Sequence, residues 1–202
     1  GRSGASEYTT YYYPEPQLFY SRRIGRAPQG RATGQFVDAP SATTILGAAK
    51  LVGRTRSGWN VGLLEAVTGR EHAQVATGTS TDRIEVEPLT NYFVGRAQHS
   101  LGQRASIGLL GTAVVRDLDA PNLEALLPDR AFVGGVDGHV FLDGKRDWVV
   151  SGGLSGSTVS GSQAAVLRLQ RAAQRYYQRP DAPHVSVDPT ATSLSGWSGR
   201  VG

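Results

Sequence analysis

Three pairs of long segments, each pair joined by a short turn, constrain the fold of this chain more than any other feature. The pairs are 45–55 with 59–70, 90–101 with 105–116, and 131–141 with 147–158. The last pair encloses Asp143-Gly144, a dipeptide typical of β-hairpin turns. The segments run to about 10 to 12 residues, whereas strands of globular proteins usually have about 5 or 6. We therefore predict an all-β chain of antiparallel, up-and-down hairpins.

Side chains alternate in character along these segments. In 105–115 the odd positions are apolar or glycine, and the even positions include Ser106 and Thr112. In 147–157 the apolar positions are the even ones, from Trp148 to Gly156. A soluble β-sandwich has the same period of two. The strand length, the 26 glycines and a polar face of Ser, Thr, Arg and Gly favour part of an outer-membrane-type β-barrel instead.

Longer connections, at 71–89 and 117–130, separate the hairpins. Tight turns that alternate with long loops are typical of outer-membrane barrels. After the third hairpin, we expect Ser162 to cap a short helix near 163–172 and a further strand to start near Gln174. The predicted organisation is an irregular N-terminal segment, 1–44, followed by a partial β-barrel domain, 45–202, with the hairpins 45–70, 90–116 and 131–158 and then the part 174–202.

Charged residues interrupt the first hairpin. If Ser57-Gly58 is a two-residue loop, Lys50 lies directly opposite Glu65 and the two form a cross-strand ion pair. A polar lumen would accommodate such charges, whereas the exposed face of a soluble sheet is the simpler alternative. We predict that the polar residues lining the lumen are Lys50, Arg54, Glu65, Arg96, Asp137 and His139.

Composition limits which partners, metal sites and membrane segments this chain can have. Lys and Arg number 21 against 17 Asp and Glu, an excess that suits contact with anions, although a GC-rich genome would give the same share of arginine. The absence of cysteine excludes disulfides and thiolate metal sites. No uncharged apolar run approaches the ~18 residues of a membrane helix, and the start has no apolar signal-peptide core.

Motifs of catalysis are missing from the sequence. It contains no G-x-S-x-G, P-loop or G-x-G-x-x-G, and its four histidines lie in unrelated segments. Asp137 and His139 share a strand face and could serve a base or a metal, but a structural hydrogen-bonded contact is the more frequent arrangement. We therefore predict no enzyme activity, no catalytic residue, no metal and no cofactor. Arginines scattered over many strands, without a recognised module, predict no nucleic-acid partner.

Several short motifs resemble one bacterial family. They are LFYSRRIGRAP (18–28), ILGAAKLVGRT (45–55), GLLEAVTGRE (62–71), VEPLTNYFVGR (86–96), AFVGGVDG (131–138), RYYQRPDAPH (175–184) and TSLSGW (192–197). The sequence resembles a family of unknown function in which a secreted carbohydrate-binding-like module of family-9 type precedes a large outer-membrane β-barrel. The resemblance implies that this chain is the first part of the barrel region and that it lies in the outer membrane of a Gram-negative bacterium.

Three hypotheses about function follow. The preferred one is an outer-membrane barrel that serves as a pore, a glycan-associated uptake component or a membrane anchor for the carbohydrate-binding module. Its partners would be outer-membrane lipid and glycans or other anionic ligands. The alternative is a soluble β-sandwich that binds carbohydrate, with Trp59, Trp148 or Trp197 as stacking residues. A surface-anchored hydrolase is the third. Aromatic residues near the strand ends suit membrane girdles and sugar platforms equally, so they do not separate the first two hypotheses.

Overall fold

Antiparallel strands make up most of the computed structural model, which describes residues 18–202. The prediction for 1–17, within the irregular segment, lies outside the described residues. Between residues 18 and 202, ten strands form two sheets. The strands are β1 (Phe36–Asp38), β2 (Ile45–Arg54), β3 (Trp59–Thr68), β4 (Glu71–Thr77), β5 (Ser80–Glu87), β6 (Leu89–Leu101), β7 (Ala105–Asp117), β8 (Arg130–Phe141), β9 (Val149–Ser160) and β10 (Ser193–Val201), and the helices are α1 (Pro121–Glu124) and α2 (Gln163–Arg171). The all-β, antiparallel prediction is confirmed.

The main sheet has seven strands in the order β10-β9-β8-β7-β6-β3-β2, and every neighbouring pair is antiparallel. Its strands follow the chain up and down, except that β4 and β5 leave the sheet between β3 and β6. The sheet is open, with β2 and β10 at its edges. One end carries the tight turns at 55–58, 102–104 and 142–148, and the other carries the long connections and both helices. The two ends are called here the turn end and the loop end.

Four of the predicted elements agree closely with the structure and two do not. The three hairpins are confirmed within two residues, and α2 begins after Ser162, whose Oγ accepts a hydrogen bond from Ala165 N at 3.2 Å. The predicted loop 71–89 was wrong, because it forms β4 and β5, which pair with β1 in a separate three-stranded sheet. The predicted strand near Gln174 was also wrong. Tyr176 has φ of 43°, a left-handed conformation incompatible with a strand, and β10 begins only at Ser193.

The register of the first hairpin differs from the prediction by one residue. The loop has three residues, 56–58, because Thr55 N donates to Trp59 O at 2.8 Å and Gly58 takes φ of 86°. Ala49 therefore lies opposite Glu65, and Lys50 lies opposite Leu64. The predicted Lys50–Glu65 pair was wrong, since a shift of one residue turns a side chain to the other face of the sheet.

The seven strands present one apolar and one polar face. Through the pairing register, the apolar face contains the predicted odd positions of β7 and even positions of β9. Across its middle runs a row of four glycines on adjacent strands, formed by Gly95, Gly111, Gly134 and Gly156. Leu63 continues the row on β3 and Trp197 continues it on β10. The opposite face carries most of the charged and hydroxyl side chains of the sheet.

The buried side chains concentrate at the loop end. Segment 18–30 lies over the polar face there, and a Cβ added to Gly135 would come within 3.4 Å of Leu18 Cδ1. The small sheet packs nearby, with Ala73, Val75 and Val86 buried together with Leu123 of α1. An ion cluster joins the two sheets where β4 begins. Arg70 Nη1 contacts Glu85 Oε1 at 3.1 Å, and its Nη2 contacts carboxylate oxygens of Asp117 and Asp119 at 2.7 Å each.

Candidate functional site

A row of five polar residues and two glycines crosses the polar face towards the turn end of the strands. Each member lies opposite the next on the neighbouring strand, and the row consists of Arg54, Asn60, Gln98, Gly108, Asp137, Gly153 and Arg200. Arginines thus occupy both edge strands, and a carboxylate lies near the centre. Such a surface contacts water or a hydrated solute more readily than an apolar partner.

An ion pair across two strands is the most ordered part of this face. Arg96 of β6 reaches over β7 to Asp137 of β8, where its two terminal nitrogens bind the two carboxylate oxygens, one of them at 2.7 Å. Gly108 of β7 lies beneath the guanidinium. A Cβ there would collide with Arg96 and lie 2.8 Å from Asp137 Oδ1. The bidentate pair, which is stronger than a single neutral hydrogen bond, therefore needs glycine at position 108.

His139 lies on the same face but does not share a partner with Asp137. Its Nδ1 is 2.9 Å from Ser106 Oγ, and its ring packs edge-on against Phe141 with centroids 5.3 Å apart. Asp137 bonds to Arg96 instead. Asp137 and His139 therefore hold separate contacts, and within residues 18–202 no hydrogen bond joins the two.

The remaining predicted lumen residues divide between the two faces. Lys50 and Arg54 share the polar face with Arg96, Asp137 and His139 through the register. Glu65 does not, and its predicted place on that face was wrong because of the three-residue loop. It lies on the apolar face towards the loop end, where Asn91 Nδ2 donates to its Oε1 at 2.5 Å.

A buried cluster at the loop end of the polar face was not found from the sequence. It contains Arg26, Arg116, Tyr92 and Glu87. Burial lowers the pKa of Arg116 below its ordinary value, against the opposing effects of Tyr92 and Glu87. Burial also raises the pKa of Tyr92, so its hydroxyl is protonated at neutral pH. The alternation placed Arg116 on the polar face, but no pattern joins it to Arg26, which lies in an irregular segment.

Glu87 is the carboxylate of this cluster. It is 1 % exposed, and its two oxygens accept from Gln29 N at 2.7 Å and Gln29 Nε2 at 3.1 Å. Both oxygens are therefore engaged by an uncharged residue, and no guanidinium of the cluster forms a salt bridge to them within the part of the chain described.

Among residues 18–202, no helix combines the length and the hydropathy that a membrane crossing requires. Within the same range, no group of three or more His, Cys, Asp or Glu side chains comes close enough to hold a metal ion.

Comparison with known proteins places the chain in a family. Curated proteins gave no match, and solved structures gave none either. The family described as a domain of unknown function, DUF5916, matches residues 10–129, which is more than half of the 202 residues. The matched region includes β1 to β7 and the helix α1, and with them Arg96 and the buried cluster. The chain therefore belongs to the DUF5916 family.

Proposed function

We propose that the seven-stranded sheet is part of a β-barrel in the outer membrane of a Gram-negative bacterium. The apolar face would contact lipid, and the polar face would line the lumen. The observation that carries the proposal is the exposure of the apolar face. Leu109 is 47 % exposed, Leu154 is 54 % exposed and Trp197 is 81 % exposed. Soluble proteins rarely expose apolar surface over a whole sheet face.

The height of the apolar band supports this orientation. From the level of Phe93 to that of Leu101, the seven strands place one Asp, Glu, Lys or Arg on this face, namely Glu65. Eight residue steps correspond to about 26 Å of strand, and the lipid-facing band of outer-membrane barrels is about 25 Å tall. Glu65 lies at the loop-end border of the band, where headgroups and water would reach its carboxylate.

Aromatic residues mark both borders. Phe93 and Phe132 lie at the same level near the loop end, joined through Ala113. Trp59 lies at the other end of the band, and Trp148 follows in the turn at 142–148. Aromatic girdles at the two interfaces are characteristic of transmembrane barrels.

The proposed role is passive, as a pore or uptake component for glycans or as the anchor of a carbohydrate-binding module. The polar face supports it, because it carries Lys50, Arg96 and Asp137 on the inner strands and the edge strand β2, and serines on β9 and β10. The open edges of β2 and β10 would pair with further strands, because unpaired backbone groups are costly in lipid.

Far-UV circular dichroism of the full chain tests the membrane part of the proposal. We expect β signal to develop on transfer from plain buffer to dodecylmaltoside micelles, together with resistance to protease. The buffer sample should remain largely unfolded or aggregate, because the apolar face has no lipid to cover it.

A cooperatively folded β-protein that remains monomeric in buffer would contradict the proposal. In that case, binding assays with soluble oligosaccharides should follow, with Trp197→Ala and Trp148→Ala as variants, because both indoles are exposed. Saturable binding lost in these variants would support the soluble carbohydrate-binding module instead.

A further inference from the structure

The strongest unexplained feature lies outside the ion-paired row, in the cleft between segment 18–24 and the polar face. The cleft has a volume of about 500 Å³, within the range of small-molecule sites, ~300 to 1,000 Å³. Apolar side chains form most of its wall, including Leu18, Ile24, Val114 and Val133. Arg23 and the hydroxyl-bearing Tyr92 supply polar groups to the same cleft. An elongated apolar molecule with one polar end fits these walls.

Charge around the polar end is unbalanced. Burial is the main cause that lowers the pKa of Arg116, and the positive charges of Arg26 and Arg23 lie near enough to lower it further. The carboxylate of the buried cluster, Glu87, is already hydrogen-bonded through both oxygens to Gln29. Three arginines, of which Arg23 is exposed, thus lie in the neighbourhood of one carboxylate whose oxygens are both engaged, which leaves an excess of positive charge beside the cleft. An anion there would gain more than it would in water.

Several buried polar atoms near the loop-end cluster have no hydrogen-bond partner among residues 18–202. They are Arg26 Nε, Thr68 Oγ1 and Arg116 Nε. Thr68 is itself 1 % exposed. It lies in one row with Thr90 and Arg116 on adjacent strands of the polar face. Buried polar atoms are normally paired, and each unpaired one needs an explanation. None of these three residues lines the cleft itself, but the charges of Arg26 and Arg116 act on Tyr92, which does, so the cleft borders a region that is rich in donors and poor in acceptors.

We propose that this cleft binds an amphiphilic carboxylate, a short or medium aliphatic chain that ends in a carboxyl group. The chain lies between Leu18, Ile24 and the apolar part of the sheet. The carboxylate lies at the polar end, where it accepts from Arg23 and the Tyr92 hydroxyl and compensates the charges of Arg26 and Arg116. A guanidinium suits this task because its planar donors match the two oxygens of a carboxylate. The site is a property of the chain whether or not the sheet faces lipid.

Hexanoate and hexanamide are suitable probes, because they share shape and chain length and differ in charge. The full chain, in whichever of buffer or micelles it folds, would be titrated with each and followed by saturation-transfer NMR. We expect saturable binding of hexanoate, at least about tenfold tighter than that of hexanamide. The reason is that hydrogen bonds to a charged carboxylate contribute more to the binding free energy than hydrogen bonds to a neutral amide. Equal binding of the two, or no saturable binding of hexanoate, would overturn the proposal.

Two arginines of one turn provide matched variants. Arg23 lines the cleft and Arg22 does not, although both are exposed and adjacent. We expect Arg23→Gln to weaken hexanoate binding about five- to tenfold and Arg22→Gln to change it less than about twofold. Equal effects of the two would mean that general charge, and not the cleft, attracts the anion.

A competition experiment tests the apolar part of the site. Inorganic phosphate should displace hexanoate poorly, whereas octanoate should displace it more effectively than hexanoate itself, because each buried CH₂ adds affinity. If phosphate displaced hexanoate as effectively as octanoate did, the site would be a general anion site and the proposed ligand class would be wrong. Retained β structure in circular dichroism, measured on the same samples, separates a failure of this proposal from a failure of folding.

Discussion

Gly108 shows how a single residue without a side chain positions two that have one. Arg96 and Asp137 are separated by the whole of β7, and their contact passes over the one position on that strand where a Cβ would obstruct it. Glycine is usually unfavourable inside a strand. Here its cost is offset by a bidentate ion pair on a partly exposed face, where the side chains of Arg96 and Asp137 are 29 % and 34 % exposed.

The first prediction compares two glycines of β7. Gly108→Ala should lower the stability by about 1–3 kcal/mol, because it separates a hydrogen-bonded charge pair. Gly111→Ala, three residues along on the apolar face, should change it by less than about 0.5 kcal/mol, since a Cβ there meets no atom within 4 Å. Thermal unfolding followed by circular dichroism measures both. Equal losses would show that strand conformation, and not the ion pair, makes glycine necessary at position 108.

The turn at 142–148 supplies a prediction about pH. Asp143 accepts hydrogen bonds from the backbone N–H of Trp148 at 3.1 Å and of Asp147 at 3.3 Å. These bonds, that from Trp148 foremost, hold the pKa of Asp143 below its ordinary value. A carboxyl with a lowered folded-state pKa stabilises the fold above its unfolded pKa, near ~3.9, and this contribution is lost as the pH falls through the folded value.

Asp143→Asn should therefore lower the melting temperature at pH 7, and the difference from the parent chain should shrink as the pH falls below about 4. Melting curves recorded at several pH values between neutrality and strong acid would measure it. Asp147→Asn, a change of the same charge in the same turn, is the control. A difference between parent and Asp143→Asn that stayed constant over this range would contradict the assigned role of the carboxylate.

At the scale of elements, the hairpin of β2 and β3 depends on one loop residue. A two-residue loop would have placed Lys50 against Glu65, and the three-residue loop with Gly58 at positive φ places Ala49 there. The natural absence of cysteine makes this register easy to test. Ala49→Cys with Glu65→Cys should form a disulfide on mild oxidation, because directly opposed residues have Cα atoms about 4.5–5.5 Å apart, a separation that a disulfide spans.

Lys50→Cys with Glu65→Cys is the matched pair for this prediction. Its two side chains point to opposite faces, so we expect no intramolecular disulfide. Mass spectrometry of the oxidised proteins distinguishes the two variants. Cross-linking of the second pair in preference to the first would restore the two-residue loop and return Glu65 to the polar face.

The sequence predicted the long strands well because their signal is local. Alternation over more than ten residues of β7 and β9 establishes which side chains share a face, and tight turns limit the ends. The small sheet was missed although Ala73 and Val75 alternate with His72 and Gln74 in β4, because the many polar residues of this segment and Gly78 resemble a loop. The buried cluster was beyond prediction for another reason: its members come from an irregular segment, from β5, from β6 and from β7, and no pattern along the chain relates them.

At the scale of the whole molecule, a charge placed on either face distinguishes a membrane sheet from a soluble one. Leu154 and Ser157 are both exposed residues of β9, and they lie on the apolar and the polar face respectively. In lipid, Leu154→Arg should cost about 2–4 kcal/mol and Ser157→Arg much less. In a soluble sheet, both exposed positions should tolerate arginine equally.

Folding yield into lipid vesicles, measured by the shift between folded and unfolded bands on gels of unheated samples, would measure this difference. A low yield for Leu154→Arg alone supports the lipid-facing assignment of the apolar face. Equal yields of the two variants, in vesicles that fold the parent chain, would refute that assignment and leave the exposed leucines to be explained by a protein partner.

The alternation of strand directions in the main sheet has a consequence for how it can be completed. Seven strands, each antiparallel to the next, leave β2 and β10 running the same way. If the two edges met, they would pair in parallel, and so would two copies of the sheet inserted in the same orientation. A ring with antiparallel pairing throughout must contain an even number of strands. The number of strands added to these seven must then be odd, and a single additional strand already satisfies the condition.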